Sequence, residues 1–141
     1  MTFVVGLDTC VISELVKPVP NRKVIDWLTE LPSEALFLSV ITIGELRKGL
    51  TRIPDSKRKQ RLTVWLNTLL EDYKERIFPI DLMVAENWGI IQGNAENAGT
   101  PMSSIDGLLA ATTYTHSLTL ATRNENDFIS SKIPVINPWK L

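Results

Sequence analysis

Short apolar runs alternate with helical stripes along almost the whole chain. Residues 3–7 read as a buried strand, and behind them Val11, Ile12, Leu15 and Val16 recur at helical spacing, predicting a short helix over 10–16. Pro18 and Pro20 break the chain. The next helix places Val24, Trp27, Leu28 and Leu31 on one face, with Pro32 beyond its end. Residues 35–38 form a second strand, and Thr42 opens a helix that ends near Gly49, a good C-terminal stop. After Pro54 a longer helix carries Leu62, Trp65, Leu66, Leu69 and Tyr73 in one stripe, and a third strand follows over 77–80. Residues 82–97 make a helix with Ala85 and Trp88 inward, and 104–116 another through Ile105, Leu108, Leu109 and Thr112. Residues 118–122 and 134–136 complete the set as a fourth and a fifth strand. Short strands separated by amphipathic helices predict an α/β fold, a mainly parallel central sheet of four to five strands covered on both faces.

Composition narrows the class. The 141 residues suit one domain, 1–141, with a single core. Apolar residues make 44% and charged residues 22%, which is globular and not disordered. No apolar run approaches the ~20 residues that span a bilayer, and the N-terminus has no basic region of a signal peptide. Cys10, the one cysteine, has no internal disulfide partner, which fits a reducing cytoplasm, the expected location. One Cys and one His also exclude a zinc site built from those residues. The net charge is −1, but the charge is unevenly spread. Arg47, Lys48, Arg52, Lys57, Arg58, Lys59 and Arg61 stand close together against the one acid Asp55. Such a patch suits a nucleic-acid backbone, or else a solvated helix end.

The chemistry lies in four acids. Asp8 follows the first strand, Glu45 lies one turn into the helix after the second, Asp106 opens the helix before the fourth, and Asp127 follows the fourth. Each has a plain structural account. Asp8 or Thr9 can cap a helix, Thr42-Ile-Gly-Glu45 and Ser103-Ser-Ile-Asp106 fit the capping box, and Asp127 can close an Asx turn. Their joint placement says more. In a parallel sheet, residues that follow strands meet at one edge, where ligands bind. Asp106 joins them if its helix starts at that edge. Carboxylates gathered there raise one another's pKa values, and a divalent cation relieves the repulsion. Oxygen ligands without His or Cys suit Mg2+, with Mn2+ as a substitute. Asp8 and Asp106 are the most direct ligands on this reading.

LDTCVISELV, LSVITIGELRKGL, SSIDGLLAATTYTHSLTLATRNENDF and INPW, in this order and spacing, resemble the PIN-domain ribonucleases. Within them the chain is similar to VapC-type toxins of type II toxin–antitoxin pairs, in the FitB-like subgroup. The resemblance implies a PIN-like three-layer α/β/α sandwich and a magnesium-dependent endoribonuclease. It implies that Asp8, Glu45, Asp106 and Asp127 are the catalytic and metal-binding acids, with Thr9 and Asn124 as polar support. It further implies RNA, frequently tRNA, as substrate, products with a 5′-phosphate and a 3′-hydroxyl, and a homodimer. A small VapB-type antitoxin would cover the acidic pocket with a basic side chain and release growth. Two positions depart from the family pattern: Cys10 stands where Asn is frequent, and Thr100 where a basic residue is common.

Rival chemistries fit less well. A dehalogenase-type phosphatase needs an Asp two residues after Asp8, where Cys10 stands, and a Cys10–His116 nucleophile pair has no local signal. A binding module without cleavage would not need all four acids. A DNA nuclease needs the same acids and is separated only by experiment.

Overall fold

A computed structural model describes residues 3–141. Five strands form one sheet: β1 (Val5–Leu7), β2 (Leu36–Ser39), β3 (Ile77–Phe78), β4 (Thr119–Ala121) and β5 (Val135–Ile136). All pair in parallel, in the order β3-β2-β1-β4-β5. Six α-helices connect them: α1 (Thr9–Ser13), α2 (Arg22–Glu30), α3 (Val40–Arg52), α4 (Lys57–Asp72), α5 (Leu82–Asn97) and α6 (Ser104–Thr115). Short 3-10 turns cover Glu14–Val16, Ser33–Ala35, Glu125–Ser131 and Pro138–Lys140. This is the expected α/β/α sandwich. No helix of the described residues is long and apolar enough to cross a membrane.

Strand alternation divides the core between two faces. Val5, Leu7, Leu36, Leu38 and Ala121 pack with side chains of the first four helices, including Val24, Leu28, Leu46, Leu50, Leu66 and Leu69. On the other face Leu120 meets Leu109 and Ala110 of α6 together with Phe128 and Ile133. Helix α5 lies against α6, and the two come close at Gly107, where a Cβ would collide with Gln92 Oε1 and lie 2.9 Å from Trp88 Nε1.

Several boundaries move, each for a local reason. Helix α3 starts at Val40, because Ser39 Oγ accepts from Ile41 N at 3.0 Å and caps it. Thr42 is therefore not a cap; it is buried in the first turn and donates to Leu7 O at 3.4 Å. The same helix runs past Gly49 to Arg52, since Leu50 continues the buried stripe, and it stops before Pro54. Strand β3 ends at Phe78 because Pro79 has no N–H for the ladder. The inward face of α5 is Val84, Gln92 and Ala95 with Trp88 half-buried, whereas Ala85 is exposed. An alanine fits either face, so its position decided nothing. Leu15, placed in the first helical stripe, is 43% exposed.

Candidate active site

The site begins at the register of β1 and β4. Leu7 pairs with Ala121, Asp8 N donates to Ala121 O at 3.0 Å, and both strands end together. That lays Asp8 against Thr122, the residue after β4. Thr122 Oγ1 donates to Asp8 Oδ2 at 2.8 Å and accepts Asn124 N at 3.0 Å. Asp8 Oδ1 accepts Thr9 N at 2.7 Å, so the carboxylate also caps α1. Thr9 Oγ1 donates to Glu45 Oε1 at 2.7 Å, which ties the second acid to the first helix. Thr9 thus joins two acids, while Asn124 supports the site through its backbone.

Asp106 lies at the same edge, because a helix that precedes a parallel strand runs back across the sheet. Ser103 caps α6, accepting Asp106 N at 3.1 Å, as the capping pattern required. Asp127 is exposed in the Glu125–Ser131 turn, where its backbone N–H donates to Asn124 O at 3.0 Å. The turn's capping position is Asn124, whose side chain makes no capping bond.

The electrostatics follow from this placement. Burial pushes the Asp8 carboxyl above its ordinary value, and the Glu45 and Asp106 charges add to the rise, against the bonds from Thr122 and Thr9. Burial likewise raises Asp106, with Asp127 and Glu45 adding repulsion while Ser103 opposes it. Asp8 and Asp106 thus each feel the charge of two of the other three acids. Among the described residues none of the four has an ion-pair partner; the salt bridges lie elsewhere. The all-oxygen donor set and its mutual repulsion fit a hard divalent cation. The fit is not that of a closed cage: among the described residues, no three acidic, His or Cys side chains already converge on one point.

Of three further neighbours of the site, the sequence singled out only Cys10. Thr122 is buried and holds Asp8, and the joint ending of two adjacent strands was its only signal. Cys10 Sγ lies 3.8 Å from both Asp8 Oδ2 and Thr122 Oγ1 and accepts Arg123 N at 3.4 Å. Burial and the Asp8 charge raise its pKa, which opposes a thiolate nucleophile. Glu14 is buried yet lies outside the group: its Oε1 accepts Asn21 N at 2.6 Å and its Oε2 lies 2.9 Å from Lys17 Nζ.

The seven basic residues lie on α3 and α4. Lys48 and Arg52 follow Glu45 by three and seven residues, on the same side of α3. Arg47 turns toward α4, where it donates to Asn67 at 3.2 Å, and Lys59 pairs with Asp55 at 3.6 Å. An apolar groove of about 280 Å3, lined in part by Glu45, Leu46, Leu50 and Trp65, runs beside these helices. On the other side of the acids, Asp106 and Asp127 border a cleft of about 440 Å3.

The PIN domain family model matches residues 5–131. The chain belongs to the PIN-domain family. Toxin FitB of Neisseria gonorrhoeae is 40% identical to it over 94% of this chain and 96% of that protein. VapC ribonuclease Y4jK of Sinorhizobium fredii is 37% identical over 95% and 96%. Among solved structures, FitAcB from Neisseria gonorrhoeae superimposes with a TM-score of 0.94 at 40% identity, covering 98% of this chain and 100% of that one. DNA-bound VapBC from Salmonella typhimurium, at 21% identity and a TM-score of 0.79, shares the fold over 97% of this chain and 99% of that one. The PIN-domain resemblance and the three-layer fold expected of it are thus both found.

Proposed function

We propose that this chain is the toxin of a toxin–antitoxin pair and acts as a magnesium-dependent endoribonuclease. The observation that carries it is the group of four acids at one sheet edge, with Asp8 buried, its pKa raised, and no ion-pair partner among the described residues. A buried carboxylate in that condition is destabilising unless a cation joins it. The similarity to Toxin FitB and to a VapC ribonuclease supports the toxin and RNA parts of the reading.

Asp8 and Asp106 would hold the cation, with Asp127 completing the shell directly or through water. A bound divalent ion supplies a nucleophile from water at neutral pH and neutralises charge on the phosphoryl oxygens. Glu45, held by Thr9, orients the attacking water. Thr122 and Thr9 fix both oxygens of Asp8, so this ligand needs little reorganisation when substrate arrives. Water, not the ribose 2′-hydroxyl, attacks, leaving a 5′-phosphate and a 3′-hydroxyl. Lys48 and Arg52, on the Glu45 side of α3, would track the backbone toward the acids, and the bases of α4 would extend that track. A cognate antitoxin would silence the site by bringing a basic side chain to the acids. A homodimer and a tRNA substrate follow from the family resemblance alone.

The test compares labelled RNA and DNA of one sequence, each with magnesium and with a chelator. RNA cleavage only with magnesium supports the reading. Equal cleavage of DNA makes the protein a general nuclease, and binding without cleavage makes it a nucleic-acid-binding module.

A further inference from the structure

The cleft beside Asp106 and Asp127 has a second wall that the cleavage chemistry does not use. Its size, about 440 Å3, lies within the range of small-molecule sites. Two short segments build this wall, one before α6 and one in the Glu125–Ser131 turn. Pro101, Met102 and Ile129 give it apolar surface, and Thr100, Asn126 and Ser130 give it hydroxyl and amide groups. Ile129 is 68% exposed, a large apolar side chain left in water at the rim of a charged site. The wall is fixed from behind. Gln92, buried on α5, donates Nε2 to Met102 O at 2.7 Å, and the tight crossing at Gly107 holds α5 against α6 just past Asp106.

Charge decides what such a cleft can take. None of its lining residues is basic, and two are carboxylates, so a phosphate entering it would be repelled and unpaired. A nucleoside is the neutral part of an RNA strand. It has apolar faces and an edge that exchanges hydrogen bonds with hydroxyl and amide groups. It is also covalently next to the phosphate that the acids would handle. A basic side chain of a protein partner would use the two carboxylates but not the neutral wall.

We propose that this cleft holds the nucleoside adjoining the scissile phosphate, and that its wall sets which RNA sequence is cut. The base lies against Pro101, Met102 and Ile129, with its polar edge and ribose toward Thr100, Asn126 and Ser130. The proposal rests on the ribonuclease reading, but its test reads binding separately. Isotope-labelled full-length protein with magnesium is titrated with the four ribonucleoside 5′-monophosphates, with ribose 5-phosphate and with N-acetylarginine amide, followed by amide NMR shifts. Nucleotides should shift the Thr100, Met102, Ser103 and 126–130 amides with base-dependent amplitude, and ribose 5-phosphate should shift them far less. The double variant Asn126→Ala/Ile129→Ala should bind the preferred nucleotide at least tenfold more weakly, with magnesium shifts at Asp8 and Glu45 unchanged. Its RNA cleavage should lose base preference beside the cut. Ribose 5-phosphate matching the nucleotides, the arginine amide alone shifting the wall, or the double variant binding as wild type would each overturn the proposal. Base-dependent binding without RNA cleavage would sink the ribonuclease reading and leave the subsite standing. Cleavage without base-dependent shifts would do the reverse.

Discussion

Asp8 and Glu14 flank the first helix, are both buried, and are driven in opposite directions. Burial works against the charge on each. At Glu14 the Lys17 ammonium and the Asn21 N–H overcome it, with Arg123 adding favourable charge, and the carboxyl falls below its ordinary value. At Asp8 the hydrogen bonds from Thr122 and Thr9 are not enough, because the nearby charges are Glu45 and Asp106. The protein supplies Glu14 with its counter-ion and leaves Asp8 to find one elsewhere. The contrast separates a buried acid that has its own counter-ion from one that lacks it.

The largest break of this contrast is to neutralise the acid that lacks a partner. Asp8→Asn and Asp106→Asn should each cut RNA cleavage by on the order of 10² to 10³-fold, as for loss of a charge-stabilising group in an active site. Without metal at neutral pH, Asp8→Asn should be the more stable protein by about 1 kcal/mol, or roughly 3 °C in Tm. The sign follows from the raised pKa. Asp8 binds its proton more tightly when folded, so its contribution to stability is full below the unfolded value and is lost as pH rises through the folded one. Thermal melts against pH in chelator should show that loss in wild type and less of it in Asp8→Asn. Equal melting profiles would mean that Asp8 is not strained by its charge.

Thr122→Val sharpens the comparison by removing the bond that holds Asp8 Oδ2. The Asp8 pKa should rise further, stability should fall by about 1 kcal/mol, and the pH dependence of cleavage should shift upward. A lower rate with an unmoved pH profile would make Thr122 only a packing residue.

Lys17→Met attacks the other side. Lys17 is half-exposed, so screening limits the expected cost to about 1 kcal/mol. Glu14 has a lowered pKa, so its contribution is present above the unfolded value and is lost as pH falls through the folded one. That acid-side loss should shrink in Lys17→Met while RNA cleavage stays unchanged. A cleavage defect would place Glu14 in the functional group.

Much of this was legible beforehand, and the exceptions have causes. Asp8, Glu45 and Asp127 could be brought to one edge because all follow strands, and Asp106 because its helix leads back to that edge. Ser103 could be read as a cap because its hydroxyl stands three residues before Asp106. The sequence could not separate Ser39 from Thr42 as the cap of α3, since both hydroxyls precede suitable helical residues. It could not show Thr122, whose role depends on β1 and β4 ending in register, or the ion pair that exempts Glu14. Nor could spacing reveal that the four side chains stop short of a closed cage, because side-chain placement is set only in the folded protein.

The smallest expected effect is at Cys10. Cys10→Ser keeps an acceptor for Arg123 N and a donor toward Asp8, so cleavage should stay within about threefold of wild type, well under 1 kcal/mol in the barrier. A collapse with folding intact would point to covalent catalysis by the thiol.

On this account four separately positioned acids make one cation site. Substoichiometric Mn2+ added to isotope-labelled protein tests it most directly, because the paramagnetic ion broadens amides around the point where it binds. Broadening should centre on Asp8, Thr9, Glu45, Asp106 and Asp127 together, leave the Lys17–Glu14 pair sharper, and weaken in Asp8→Asn. Broadening centred elsewhere, or undiminished around Asp8 in that variant, would contradict the account.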